Sequence, residues 1–84
     1  MKELEQFIIN NNLEFVSGRR NSDIVILCGY ALFLNYSHND ILTAINKPKD
    51  SFITSEVMRV YDYAKKNNYK KYWETEEAKK IYKF

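Results

Sequence analysis

The chain has very little glycine, proline or cysteine. Its 84 residues include two glycines, one proline and one cysteine. All-β domains need frequent turns, which glycine and proline usually make, so their scarcity favours helices. The single cysteine, Cys28, excludes a disulfide within the chain. Because Cys28 lies in an apolar stretch, we expect a buried thiol in a reducing compartment and therefore a cytoplasmic protein.

The chain also lacks most groups that catalysis and metal binding require. His38 is the only histidine, and Cys28 precedes it in an apolar setting that disfavours a thiolate. No residues have the spacing of a metal site, and the carboxylates stand mostly at helix starts or on solvated faces. We therefore expect a protein that is not an enzyme and that uses no metal or cofactor.

Length and charge indicate one small globular domain, residues 1–84. A hydrophobic content of 45% with 29% charged residues is typical of a folded, soluble protein. The formal net charge is only +2, so a charged partner would have to recognise a local cluster. No secretory signal is visible, and the longest uncharged run, residues 24–34, is shorter than the roughly 20 residues that cross a bilayer. We therefore expect no membrane association.

The uncharged run at residues 24–34 organises the predicted fold. A polar loop precedes it, and either Asn21 or Ser22 is a suitable N-cap, so the pattern predicts a buried central helix over residues 22–34. Its first residues, Ile-Val-Ile-Leu, would also suit a strand. Within a helix, Gly29 would allow a second helix to approach closely.

Hydrophobic spacing predicts further helices around this centre. The first covers residues 2–10, and residues 13–16 follow as an extended link whose apolar side chains cover the core. Another covers residues 55–66 with Thr54 as its N-cap, and a short last helix follows Thr75. The sequence therefore predicts an all-α domain of four or five helices.

Residues 30–46 pair the end of the central helix with a second short helix. Ala31 would be a small contact residue, and Asn35 suits a left-handed turn. Ser37 and Asp40 have the spacing of a capping box. The segment, 17 of the 84 residues, resembles the helix-turn-helix of the lactose-repressor family. The resemblance implies that the second helix presents these residues to nucleic acid: His38, Asn39, Asp40, Leu42, Thr43 and Asn46.

A second interpretation of residues 30–46 is a corner used only for packing. Leu32 and Phe33 stand where DNA-binding units usually carry polar residues, so we expect both to be buried. The second helix contains an acid, Asp40, and no arginine, whereas arginine, lysine, asparagine and glutamine make most specific base contacts. In a monomer both side chains would be partly exposed, so we expect a homodimer to bury Leu32 and Phe33, unless C-terminal aromatic residues fold back over them.

Basic residues concentrate in two segments. Arg19 and Arg20 immediately precede the central helix, where they could hold a phosphate or pair with acids of the same chain. The C-terminal segment mixes lysines with aromatic residues, which can bind nucleic acid by stacking and charge, or can close the core with their rings. The candidate contact residues in this segment are Lys70, Lys71, Tyr72 and Trp73.

These features predict a non-catalytic binding protein. The sharper hypothesis is binding of DNA or RNA through the helix-turn-helix-like unit, assisted by the two arginines and the basic C-terminal segment. The alternative is a small adaptor or inhibitor of the kind that phages and mobile elements encode, which would bind a host protein. The seven tyrosines suit a protein interface equally well.

Overall fold

The computed structural model describes residues 2–45 and 51–84, and within these ranges it contains helices and no strands. The helices are α1 (Lys2–Asn10), α2 (Arg20–Phe33), α3 (His38–Ala44), α4 (Ser51–Lys66) and α5 (Glu76–Ile81). A 3₁₀ helix, Tyr69–Glu74, lies between α4 and α5. The predicted all-α class is confirmed. No helix in the described ranges combines the length and apolar character that crossing a membrane requires.

Helix α2 is the centre of the fold, as predicted. It packs mainly against α4 and the 3₁₀ helix, and its inner face is buried in the core. Helix α1 adds Leu4 and Phe7 to this core, in agreement with the predicted apolar side of residues 2–10. The buried residues of the inner face of α2 are Ile24, Leu27, Cys28 and Ala31.

A buried carboxylate holds the link between α1 and α2. Asp23 is 2% exposed, and its Oδ2 accepts hydrogen bonds of 3.1 Å from the backbone N–H groups of Glu14 and Phe15. An isolated charge at this depth would be strongly destabilising, so these donors are needed to keep Asp23 inside. The bonds fix the link where Leu13 and Phe15 are buried, as the sequence predicts.

Helix α2 starts two residues earlier than predicted, at Arg20 instead of Ser22. Neither expected capping residue caps it. The Asn21 amide donates to Glu56 on α4 at 3.1 Å, and the Ser22 hydroxyl donates to the carbonyl of Arg19 at 3.2 Å. Asn21, which the local sequence predicts as a cap, therefore bonds to α4 instead of capping α2.

Helix α4 also starts earlier than predicted, at Ser51 instead of Ser55, so Thr54 lies inside it and does not cap it. Ile53 is buried one turn before Val57, which extends the apolar face of the helix into the core. The Arg20 guanidinium lies 4.1 Å from the centre of the Phe52 ring and supports this first turn. Packing against α2 therefore extends α4 by one turn before Thr54, the predicted N-cap.

The 3₁₀ helix brings Trp73 onto α2 at Gly29. A Cβ atom at Gly29 would lie 2.6 Å from Nε1 of Trp73, so only glycine permits this approach. Trp73 is 3% exposed, and its ring also meets the edges of Phe7 and Tyr30 at centroid distances of 5.5 and 5.4 Å. The close approach predicted at Gly29 is confirmed, although the partner is a 3₁₀ helix.

We expect Gly29→Ala to destabilise the protein by about 1–3 kcal/mol, because the added methyl group would displace Trp73. On helix propensity alone, alanine would instead stabilise α2 by about 1 kcal/mol, so the two effects have opposite signs. Urea denaturation followed by circular dichroism measures the difference. In a Trp73→Phe background the smaller ring should relieve the clash and reduce the cost of Gly29→Ala. A gain in stability for Gly29→Ala in the wild-type background would contradict the close contact.

Candidate nucleic-acid interface

The corner between α2 and α3 has the local geometry predicted for it. Asn35 adopts the left-handed conformation with φ of 67°, and the N–H of Tyr36 donates to the carbonyl of Ala31 at 2.8 Å. Ser37 and Asp40 form the capping box, with Oγ of Ser37 accepting at 3.3 Å and the Asp40 carboxylate accepting at 2.9 Å. Backbone and side-chain hydrogen bonds from Ser37 lower the pKa of Asp40. Local hydrogen bonds therefore fix the corner.

Tyr36 joins this corner to two other helices. Its carbonyl accepts a hydrogen bond of 3.0 Å from the hydroxyl of Tyr61 on α4, and its own hydroxyl donates to the carboxylate of Glu3 on α1. This bond to Glu3 is the main cause of a raised pKa of Tyr36. Ile41 and Ile45 are buried beneath the corner. The start of α3 is thus held in a fixed position.

The outer face of α3 is polar but carries no positive charge. His38 is half-buried, with its ring edge-on to Tyr61 at 5.8 Å. Asn39 and Thr43 are exposed, and the Thr43 hydroxyl donates to the Asn39 carbonyl at 3.0 Å. Asp40 and Leu42 are half-buried, and Asn46 lies outside the described residues. Because α3 contains no lysine or arginine, it cannot supply the attraction to phosphate that nucleic-acid binding needs.

Both candidate arginines contact acids of the same chain. Arg19 Nη1 lies 3.3 Å from Oε1 of Glu14, and its Nη2 lies 3.8 Å from the Asp23 carboxylate. Arg20 Nε lies 3.4 Å from Oε1 of Glu56, although this pair lacks hydrogen-bond geometry. Arg19 therefore has the internal partners that the sequence offers as the alternative to phosphate binding, whereas the partner of Arg20 lies on α4.

Exposed lysines gather where α4 meets the 3₁₀ helix. Lys65 and Lys66 end α4, and Lys70 and Lys71 follow in the first turn of the 3₁₀ helix. We call these four residues the lysine cluster. In the part of the chain that the structure describes, none of the four forms an ion pair, whereas Lys79 on α5 lies 3.6 Å from Glu76. The cluster is therefore a patch of unneutralised positive charge.

A groove of about 460 Å³ separates part of the lysine cluster from the α2–α3 corner. We call it the corner groove. Lys65 and Lys70 line it together with Asn35, Ser37 and Asn68. Lys70, a predicted contact residue, is thus brought to one surface with Ser37, the N-cap of α3.

A second groove, of about 360 Å³, lies between α2 and the 3₁₀ helix. We call it the aromatic groove. Burial, with a smaller contribution from Tyr72, raises the pKa of Tyr82, so the Tyr82 phenol stays neutral at physiological pH. The residues that line this groove are Val25, Ile26, Gly29, Asn68, Tyr69, Tyr72, Trp73 and Tyr82.

The C-terminal candidate residues differ in their exposure to solvent. Lys70, Lys71 and Tyr72 are exposed as a contact surface requires. Trp73, by contrast, is 3% exposed, so we correct its assignment as a surface contact: its ring closes the core, which was the alternative, and it also lines the aromatic groove. The close fit to Gly29 is the physical reason.

In the single chain Phe33 is 36% exposed, as expected for a monomer in which this pair is not covered. Leu32 is half-buried and lines the corner groove. The C-terminal aromatic residues do fold back onto α2, but Trp73 covers Gly29 and Tyr30 instead of this pair. A homodimer through Leu32 and Phe33 stays a prediction.

Several residues of this surface were not among the predicted contacts, namely Lys65, Lys66, Asn68, Tyr69 and Tyr82. One sequence signal for them exists, because paired lysines flank the two asparagines at residues 67–68. Asn68 adopts a left-handed conformation with φ of 57° between α4 and the 3₁₀ helix, and Lys65 and Lys70, one from each lysine pair, line the same groove. Tyr82 could not be found in this way, because its place depends on the packing of α5.

Comparison with known proteins does not identify the site. No protein-family model matches the chain, and no curated protein or solved structure matches it either. Within the described residues, no three His, Cys, Asp or Glu side chains are grouped as they would be around a metal ion. The resemblance of residues 30–46 to a helix-turn-helix therefore remains a hypothesis that rests on those residues.

We expect the thiol of Cys28 to be unreactive in the folded protein. Cys28 is fully buried, and burial raises its pKa to about 12, so almost no thiolate exists near neutral pH. Ellman's reagent at pH 8 should detect no thiol in the native protein and one thiol per chain in guanidinium chloride. A Ser55→Cys variant, at an exposed position of α4, provides the reactive control. Rapid labelling of one thiol in the native wild-type protein would contradict this burial.

Proposed function

We propose that the protein binds nucleic acid through the lysine cluster, with the α2–α3 corner beside it. The observation that carries this proposal is the set of four exposed lysines without acidic partners in the described chain. Lysines that contact phosphates release bound counterions, which drives binding without any base recognition. Residues 63–84 contain seven lysines and three glutamates, so this segment of the chain carries a net positive charge.

The α2–α3 corner supports the proposal by its position. The corner groove is lined by Ser37, at the start of α3, and by Lys65 and Lys70 on its other side. A phosphate backbone held by the lysines would therefore pass close to the start of α3. Asn39 and Thr43, which are exposed one turn apart, carry groups able to bond base edges. In this proposal the lysine cluster supplies affinity and α3 adds polar contacts.

A second candidate function is binding of a protein partner. Large apolar side chains remain exposed on the outer face of α4, where Phe52 and Met58 are 55% and 45% exposed. Aromatic residues and methionine are enriched in protein interfaces and lysines are depleted there. The lysine cluster therefore favours nucleic acid on its own side of the molecule, whereas the outer face of α4 is better suited to a protein.

We expect Lys70→Gln/Lys71→Gln to weaken nucleic-acid binding and to flatten its salt dependence. Each lost phosphate contact on a single strand lowers the slope of log K against log salt by about 0.7. Fluorescence anisotropy of a labelled oligonucleotide, measured from low to physiological salt, gives both quantities. The matched control is Lys79→Gln/Lys80→Gln on α5, which removes the same formal charge outside the lysine cluster.

The control pair separates local contact from overall charge. The proposal requires that the α5 variant keeps most of the affinity and the wild-type slope. Equal losses in the two variants would mean that only net charge matters. Absence of binding by the wild-type protein at low salt, with both DNA and RNA, would overturn the proposed function.

A further inference from the structure

We infer that the nucleic acid is single-stranded, with one base inserted in the aromatic groove and its phosphates on the lysine cluster. This inference rests on the proposed function and adds the class of ligand. It follows from three observations: the chemistry of the groove walls, the alternation of residues along the 3₁₀ helix, and the continuity of the two grooves at Asn68.

The aromatic groove is suited to a flat apolar ring. Its walls are the side chains of Val25 and Ile26 on α2 and the rings of Tyr69, Tyr72 and Tyr82. Its volume of about 360 Å³ lies in the range of roughly 300–1,000 Å³ that is usual for small-molecule sites. Tyr72 is 37% exposed, so a ring face is available to a ligand without unfolding any helix. Ring stacking is the interaction that these walls offer most readily.

The 3₁₀ helix places stacking groups and cations on different sides. With three residues per turn, residues i and i+3 eclipse each other, so Tyr69 and Tyr72 lie on one side of this helix. Both line the aromatic groove, whereas Lys70 and Lys71 project from the other sides and are exposed. One short segment can therefore hold a base and its neighbouring phosphates together.

Asn68 connects the two grooves, because it lines both of them. On one side of Asn68 the corner groove carries Lys65 and Lys70, and on the other side lie the tyrosines. A strand that crosses the molecule at Asn68 would place phosphates near the lysines and turn a base toward the rings. The lysines on one side of Asn68 suit the phosphate of a nucleotide, and the tyrosine rings on the other side suit its base.

A double helix does not fit this arrangement. Base pairs in a duplex are stacked on one another, so their faces are not accessible to protein rings. Side chains that read a duplex in its major groove normally come from a helix, and α3 lacks the cations for close approach. Unpaired bases expose their faces, and stacking on them is largely independent of sequence because every base has such a face. The geometry therefore favours a single strand with little sequence preference.

The single tryptophan provides a direct readout of the aromatic groove. Trp73 lines this groove, and the chain has no other tryptophan, so a base inside it should quench the fluorescence of the protein. The probes are oligothymidine and oligouridine of roughly 12 nucleotides, a duplex of the same length, and an abasic oligodeoxynucleotide. The DNA and RNA arms distinguish the two sources of single strands, and the abasic strand retains the phosphates without the bases.

Substitutions at Tyr72 test the stacking contact. Loss of one base–ring stack weakens binding by about 5- to 150-fold, which we expect for Tyr72→Leu. Tyr72→Phe keeps the ring and should retain both the affinity and the quenching. Phe52→Leu, an exposed aromatic position at the other end of α4, is the matched control and should bind as the wild type does. Thermal unfolding of each variant verifies that the fold is intact.

With a thymidine or uridine strand we expect tight binding and quenching of Trp73 fluorescence. With the abasic strand and the duplex we expect weaker binding and no quenching. Duplex binding equal to single-strand binding, or unchanged affinity in Tyr72→Leu, would overturn the inference while leaving the lysine cluster as a nucleic-acid site. Absence of binding to every probe at low salt would instead overturn the proposed function itself. The two failures are therefore distinguishable.

Discussion

The contact between Trp73 and Gly29 is the constraint on which the C-terminal third of the structure depends. It allows the 3₁₀ helix to lie directly on α2, and it leaves Tyr69 and Tyr72 lining a groove while Lys70 and Lys71 face outward. The chain end is fastened over the same region. The Asn11 side chain donates to the carbonyl of Lys83 at 2.7 Å and accepts from its N–H at 2.9 Å, and Phe84 stacks on Tyr30 at 5.5 Å. The lysine cluster and the aromatic groove are consequences of this packing.

Sequence reasoning succeeded where the structure depends on nearby residues. Two features of the corner, the left-handed turn at Asn35 and the Ser37–Asp40 capping box, involve residues a few positions apart. Both can therefore be predicted from the local residue types. The same holds for the cap at Thr75, whose Oγ1 accepts from the N–H of Ala78 at 3.3 Å. Burial of α2 was predictable too, because a run without charges in a small domain has to lie in the core.

Sequence reasoning failed where distant residues decide the outcome. Helix α2 starts earlier than predicted because Asn21 bonds to Glu56, 35 positions away, and α4 starts earlier because its first turn packs against α2 and Arg20. The 3₁₀ helix has no pattern of its own in the sequence, since its form depends on the fit of Trp73 to α2.

For the candidate site, exposed Lys70, Lys71 and Tyr72 were predicted as contacts, but the grooves beside them arise from tertiary packing. For Trp73 the surrounding lysines leave both a surface contact and a core position open, and tertiary packing places its ring in the core.

The central claim is that the junction of α4 and the 3₁₀ helix, and not the outer face of α3, contacts nucleic acid. The most direct measurement is a titration of ¹⁵N-labelled protein with a thymidine oligonucleotide, following each backbone amide by NMR. The predicted result is that amide shifts concentrate at residues 65–72 and at Val25 and Gly29 across the aromatic groove, while Asn39 and Thr43 change less. Shifts confined to residues 38–44, with the lysine cluster unchanged, would contradict the claim and favour recognition by α3.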